Sequence, residues 1–249
     1  MTAPIESATP IEMLELLTKT ASYTLSPRVG AWLPAAIALA RSPLSIIGLW
    51  QRRAARKAQR QIVEQLLNLH GVELVRVHAD WRTGFEVMAY RWGNCGYLVF
   101  VGSDDRCDWW QNLTDPTIGR AAFDRNADAV WRIAQSLRCD TIHATGHSLG
   151  GAQALRAYAA IPRIDSCTTF QTAVPAEDLR RSRADYRPRH YLHRDDLVPY
   201  LSTRRAGGDY RQWRRRIGGS IYEYAPPDRY RGTRRADAHT MQIAHHCST

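Results

Sequence analysis

The residues best equipped for chemistry stand together at Gly146-His147-Ser148-Leu149-Gly150. A serine set between glycines in the spacing G-x-S-x-G suits a sharp turn from strand into helix, which presents the hydroxyl above a sheet. Side chains at Gly146 and Gly150 would strike neighbouring backbone in so tight a turn. The flanks fit: Ile142-His143-Ala144-Thr145 precedes as a strand, and residues 151–157 follow as a helix with their small side chains nearest the turn. A serine hydroxyl attacks a carbonyl only when a base removes its proton, and N–H groups at a helix start can hold the resulting oxyanion. The N–H of Leu149 is placed for that role, so the expected chemistry is acyl transfer.

Such an elbow belongs to α/β-hydrolases, where acid and then base follow the serine along the chain. That order removes His143, His147, His190 and His193 as bases and leaves them hydrogen-bonded structural roles, with His147 also a candidate for substrate contact because it adjoins Ser148. The best acid lies in Arg194-Asp195-Asp196-Leu197-Val198-Pro199, after a strand over His190 to His193. A carboxylate there can fix the tautomer of a histidine poised over the serine. The two aspartates are adjacent, so one points inward, and the pattern alone does not choose between them. The base is expected at His239, just after a polar, arginine-rich loop; His245 and His246 stand near a terminus, where chains fray.

From about Tyr97 to Met241 the chain resembles the class-three lipase family, on four ordered blocks. These are Val99-Phe100-Val101-Gly102-Ser103-Asp104, the elbow with Gly151-Ala152, Asp195-Asp196-Leu197-Val198-Pro199, and His239-Thr240-Met241, which is the loosest. The resemblance implies an α/β-hydrolase that acts on acylglycerols or phospholipids without metal or organic cofactor. It selects Asp196 as the acid and makes Ser103 the second oxyanion-hole residue. Trp109 and Trp110 would line an acyl site or pack in the core. The chain departs from the family's pattern at Thr169-Phe170-Gln171-Thr172-Ala173, and between Ser103 and Ser148 there is room for one helix and a short loop only.

These groups need a sheet to converge. Val72 to Ala79, Phe85 to Trp92 and Gly96 to Val101 read as three successive strands, the third apolar on both faces as central strands are. Phe123, Ala127, Val130, Trp131, Ala134 and Leu137 trace one helical face, followed by a short strand over Thr141 to Thr145. Cys167 to Thr172 and His190 to His193 complete the strands, with an arginine-rich helix and loop between them. The alternation predicts a central, mostly parallel sheet flanked by helices, a catalytic domain over 71–249.

Residues 1–70 are expected as an N-terminal helical extension. Within it Val29 to Trp50 is almost wholly apolar or small and runs into Arg52, Arg53, Arg56, Lys57 and Arg60. Two readings stay open: a pair of helices packed on the domain, or a hairpin over 29–60 that docks on anionic membrane. Ala58, Ile62, Leu66 and Leu69 then continue as an amphipathic helix that Gly71 ends.

The 249 residues carry a formal charge of +10, nearly all of the basic groups being arginine. Anionic partners are favoured by that charge, yet no nucleic-acid motif accompanies it. Five cysteines without C-x-x-C spacing point to free thiols rather than a zinc site or a disulfide framework. The first fifteen residues hold Glu6, Glu12 and Glu15 and no basic group, unlike a secretory signal. A cytoplasmic place, or export that needs no cleaved signal, is expected. The apolar stretch and basic surface favour a lipid ester over a soluble polar one. The rivals are a soluble carboxylesterase or thioesterase, and a membrane- or partner-binding protein that keeps the fold without turnover.

Overall fold

The computed structural model describes residue 68 and residues 71–80, 82–102, 119–173, 179–193 and 217–224. The expectations for the N-terminal extension, for 29–60, and for Ser103, Trp109, Trp110, Asp196 and His239 lie outside these residues.

Among the described residues seven strands form one sheet: β1 (Val72–Asp80), β2 (Phe85–Trp92), β3 (Cys95–Phe100), β4 (Thr141–His147), β5 (Ser166–Phe170), β6 (Arg189–His193) and β7 (Ser220–Tyr224). They lie side by side in chain order. The first three are an antiparallel meander, and every pairing from β3 to β7 is parallel. The class is therefore α/β, with the mostly parallel sheet and strand-elbow-helix unit of an α/β-hydrolase. Gly71 enters β1 with φ +67° and returns its amide to the carbonyl of Asn68 at 3.0 Å, as a helix-ending glycine does.

Among the described residues two helices cross between parallel strands: α1 (Arg120–Ser136) before β4, and α2 (Leu149–Ala160) after it. Both crossovers step the same way along the sheet, and right-handed connections then place both helices on one face. The packing agrees. Phe123, Val130 and Ile133 of α1 and Leu155 and Tyr158 of α2 share one core with Val87, Leu98, Phe100 and Ile142. The opposite face gathers Met88, Tyr90, Tyr97, Val99, Val101 and Phe170. Burying both faces of β3 explains its unbroken apolar run, each large side chain contributing roughly 1.5–3 kcal/mol.

Polar ties fix α1 to the β1–β2 hairpin. Asn126, buried in α1, donates to the Asp80 carboxylate at 3.2 Å and to the Ala122 carbonyl at 2.8 Å, while its side-chain oxygen meets His78 Nε2 at 2.8 Å.

Three expectations need adjustment. β5 stops at Phe170 rather than Thr172, because Gln171 turns to φ +41° and leaves the ladder. The arginine-rich segment before β6 shows, among the described residues, only a 3₁₀ turn at Leu179–Ser182. β7 was not foreseen. No helix among the described residues is long and apolar enough to cross a membrane.

Candidate active site

The chain turns from β4 into α2 at one residue, Ser148, whose backbone takes φ 56° and ψ −124°. A side chain with positive φ is strained, on the order of 1–3 kcal/mol, and persists only where its surroundings hold it. Three hydrogen bonds do so here. The Ser148 amide donates to the Phe170 carbonyl at 3.0 Å, and the Ser148 carbonyl accepts the amides of Gly151 and Ala173, each at 3.1 Å.

The glycines are required by contact. A Cβ on Gly146 would lie 2.7 Å from the Gly151 nitrogen and closer still to the Gly150 carbonyl. One on Gly150 would overlap the Phe100 carbonyl, and one on Gly151 would overlap Thr172 Oγ1. Helix α2 is thereby drawn hard against the ends of β3 and β5. Gly102, just past β3, completes the approach: an added Cβ would sit 2.8 Å from the His147 carbonyl oxygen and 3.7 Å from Ser148 Cβ. The chain leaves the described residues there, immediately before Ser103.

Ser148 is only 5 % exposed. Leu149 is the first residue of α2, and among the described residues no acceptor takes its N–H. An amide at the positive end of a helix dipole, beside a serine hydroxyl, can stabilise a developing oxyanion. His147 is buried on the sheet face that carries Val101 and Phe170.

Two further histidines, His190 and His143, have structural surroundings of their own. His190 is fully buried, its Nδ1 is 2.8 Å from Thr169 Oγ1, and burial pushes its pKa down to about 3. His143 stacks on Tyr97 at 5.3 Å and meets Ser166 Oγ through Nδ1; burial, and then the charge of Arg189, hold it below the ordinary imidazole range. Cys95, Cys139 and Cys167 are free thiols, and burial raises the pKa of Cys167.

Sequence reasoning passed over two features beside the elbow. Glu86 of β2 is buried on the same row as His147 with Val101 between them, and its carbonyl receives the Val101 amide at 3.0 Å. No local signal separates it from the outward-facing glutamate of an alternating strand. Gln153, one turn into α2, donates to the Gly119 carbonyl at 3.0 Å and ties the start of α1 to the elbow helix. Among the described residues no group of three His, Cys, Asp or Glu side chains could hold a metal ion.

No family model matches the sequence, and no curated protein matches it. Solved structures do. The chain is similar to lipase II from Rhizopus niveus at 19 % identity, over 57 % of this chain and 66 % of that one, with a TM-score of 0.47. It is similar to a lipase from Rhizopus microsporus var. chinensis at 20 % identity, over 55 % and 58 % of the two chains, with a TM-score of 0.45. A triacylglycerol lipase from Penicillium expansum matches at 16 % identity over 62 % and 69 %, with a TM-score of 0.43. The chain spans less than two thirds of the length of the two Rhizopus enzymes.

Proposed function

We propose that this chain hydrolyses carboxylic esters, and specifically lipid esters, through an acyl-enzyme on Ser148. The observation that carries the reading is the strained backbone of Ser148 between β4 and α2, walled by glycines that leave no room for a Cβ. Strain of this kind is kept where it serves a reacting group.

In this proposal Ser148 Oγ attacks the ester carbonyl carbon while His239 takes its proton, and Asp196 steadies the imidazolium. The N–H groups of Leu149 and Ser103 hold the oxyanion. The bond to the alcohol oxygen then breaks, and the alcohol leaves with the proton from His239. Water attacks the acyl-enzyme by the same route and frees the acid. Substrate contacts are assigned to His147, Trp109 and Trp110. A lipid substrate is supported by the apolar run from Val29 to Trp50 and by the +10 charge, which suit an anionic membrane met through residues 29–60.

The test is covalent labelling with a fluorophosphonate. The intact protein labels, Ser148→Ala does not, and His239→Ala labels at least a hundredfold more slowly, within the range that activating bases contribute. Hydrolysis rises with pH through an imidazole titration, because the base must be neutral to act. Rates on short- and long-chain esters, with and without vesicles, separate a lipid hydrolase from a soluble esterase. An intact protein that neither labels nor turns over any ester would overturn the reading.

A further inference from the structure

The strand register sets one row of side chains level with the nucleophile. His147 pairs with Phe170, Phe170 with Tyr191, and Tyr191 with Tyr222. Residues matched in register across a sheet point to the same face, so the four form a row one residue before Ser148. Their rings stack outward: Phe170 on Tyr191 at 5.6 Å and 24°, Tyr191 on Tyr222 at 4.9 Å and 13°. Exposure grows along the row, from none at Phe170 to 47 % at Tyr222. Three strand spacings carry Tyr222 about 14 Å from His147 without changing its height on the sheet.

A lone exposed ring on an edge strand needs no explanation. This one differs in two respects. Its plane is held by the stack beneath it, so contact with a partner costs little ordering. It also has a cation for company. Arg189 lies two residues before Tyr191 on β6, hence on the same face, and it is partly exposed. Its register partners are the neutral Thr168 and Ser220. Among the described residues it forms no ion pair. Asp165, the acid that acts on nearby His143, is already held by Arg163 at 3.6 Å and by the Ile142 amide at 2.7 Å. Glu223 follows Tyr222 in an extended strand and so points to the opposite face.

We propose that Tyr222, Tyr191 and Arg189 form a surface by which the protein rests on an anionic lipid interface, with the Ser148 edge of the sheet held level with that interface. The proposal builds on the lipid-ester reading of Ser148 and adds where the lipid surface meets the fold. Tyrosine suits a boundary where one end of the ring is apolar and the other wet. The guanidinium supplies the charge that an anionic headgroup layer attracts.

Co-sedimentation of the full chain with vesicles of phosphatidylglycerol and phosphatidylcholine, against vesicles of phosphatidylcholine alone, tests this surface. The intact protein binds the anionic vesicles. Tyr222→Ser weakens that binding about tenfold, and Arg189→Gln about fivefold, the share of one basic group at such a surface. Tyr222→Phe, which keeps the stack, stays within about twofold. Fluorophosphonate labelling and hydrolysis of a dissolved short-chain ester are unchanged in all three variants. If the intact protein fails to label, the catalytic reading falls while vesicle binding still reports on the surface. Unaltered vesicle binding in both Tyr222→Ser and Arg189→Gln would sink the proposal. So would sedimentation velocity showing that Tyr222→Ser turns a dimer into a monomer, which would make β7 a self-association edge.

Discussion

The amide of Ser148 donates to the carbonyl of Phe170 at 3.0 Å, so the position of the serine proposed as nucleophile is set from β5, a strand to which the proposed triad assigns no group. Ala173 returns to the Ser148 carbonyl from the far side of the same turn. The elbow is thus clamped between two points only three residues apart, and Gln171 must take its positive φ to bring them there.

Ser148→Gly separates strain from chemistry. Glycine tolerates φ 56° with ψ −124° where serine does not. The substitution should raise stability by about 1 kcal/mol, the relieved strain less the entropy cost of glycine, while abolishing labelling. Urea unfolding of the pair reads the difference. A variant less stable than the parent would show that the serine backbone carries no strain.

Gly151 and Thr172 should couple. Gly151→Ala places its methyl on Thr172 Oγ1 and should destabilise by about 1–3 kcal/mol, as overpacking does. Thr172→Ala removes the hydroxyl and leaves the Thr172 Cβ at 3.0 Å from that methyl. The double variant should therefore recover part of the loss, with an interaction energy of about 1 kcal/mol or more in a double-mutant cycle. Strict additivity would mean that the helix moves away from β5 instead.

The elbow was legible in the sequence because everything that makes it is local: two glycines at fixed spacing, β-prone residues before and small residues after. The central strands β2 and β3 were legible for a related reason, since a sheet covered on both faces needs unbroken apolar runs. β7 was not. In Ser220-Ile221-Tyr222-Glu223 the one partly buried apolar side chain is Ile221, and the segment becomes a strand through pairing with β6. The end of β5 was missed because β-prone Thr172 continues the pattern, whereas the bonds to Ser148 demand a turn. Glu86 shows the same limit, its burial being decided by what lies across the sheet.

His190 should make the fold sensitive to acid. Its folded pKa is lowered by burial to about 3 from an ordinary 6.5, so between those values the unfolded chain binds the extra proton. Stability is then complete above about pH 6.5 and falls as the pH drops toward 3, by up to a tenfold change in the folding constant per pH unit. Urea midpoints of His190→Gln, compared with the parent between about pH 7 and pH 5, should show a smaller decline. Equal slopes would mean that the imidazole is reached by water or gains a partner on protonation.

Asn126 should matter for stability and not for the reactivity proposed for Ser148. It joins α1 to the hairpin through His78 and Asp80 and bonds back to the Ala122 carbonyl. Burial works to raise the pKa of Asp80, but hydrogen bonds from Thr83, Asn126 and the Arg82 amide, with the Arg125 charge, hold it below the usual carboxylate range. Asn126→Ala removes the partner of His78 Nε2 and one of the bonds to an Asp80 oxygen that Thr83 still reaches, at a cost of about 1–2 kcal/mol. Asp80 should then titrate closer to its ordinary value, which carboxyl NMR shifts would follow. The fluorophosphonate labelling rate should stay within about twofold, because the bonds that seat Ser148 among the described residues come from β5, the turn that follows it and α2. A large fall in labelling at full folding would instead tie the hairpin to the elbow, through the Gly119 end of α1 that Gln153 holds.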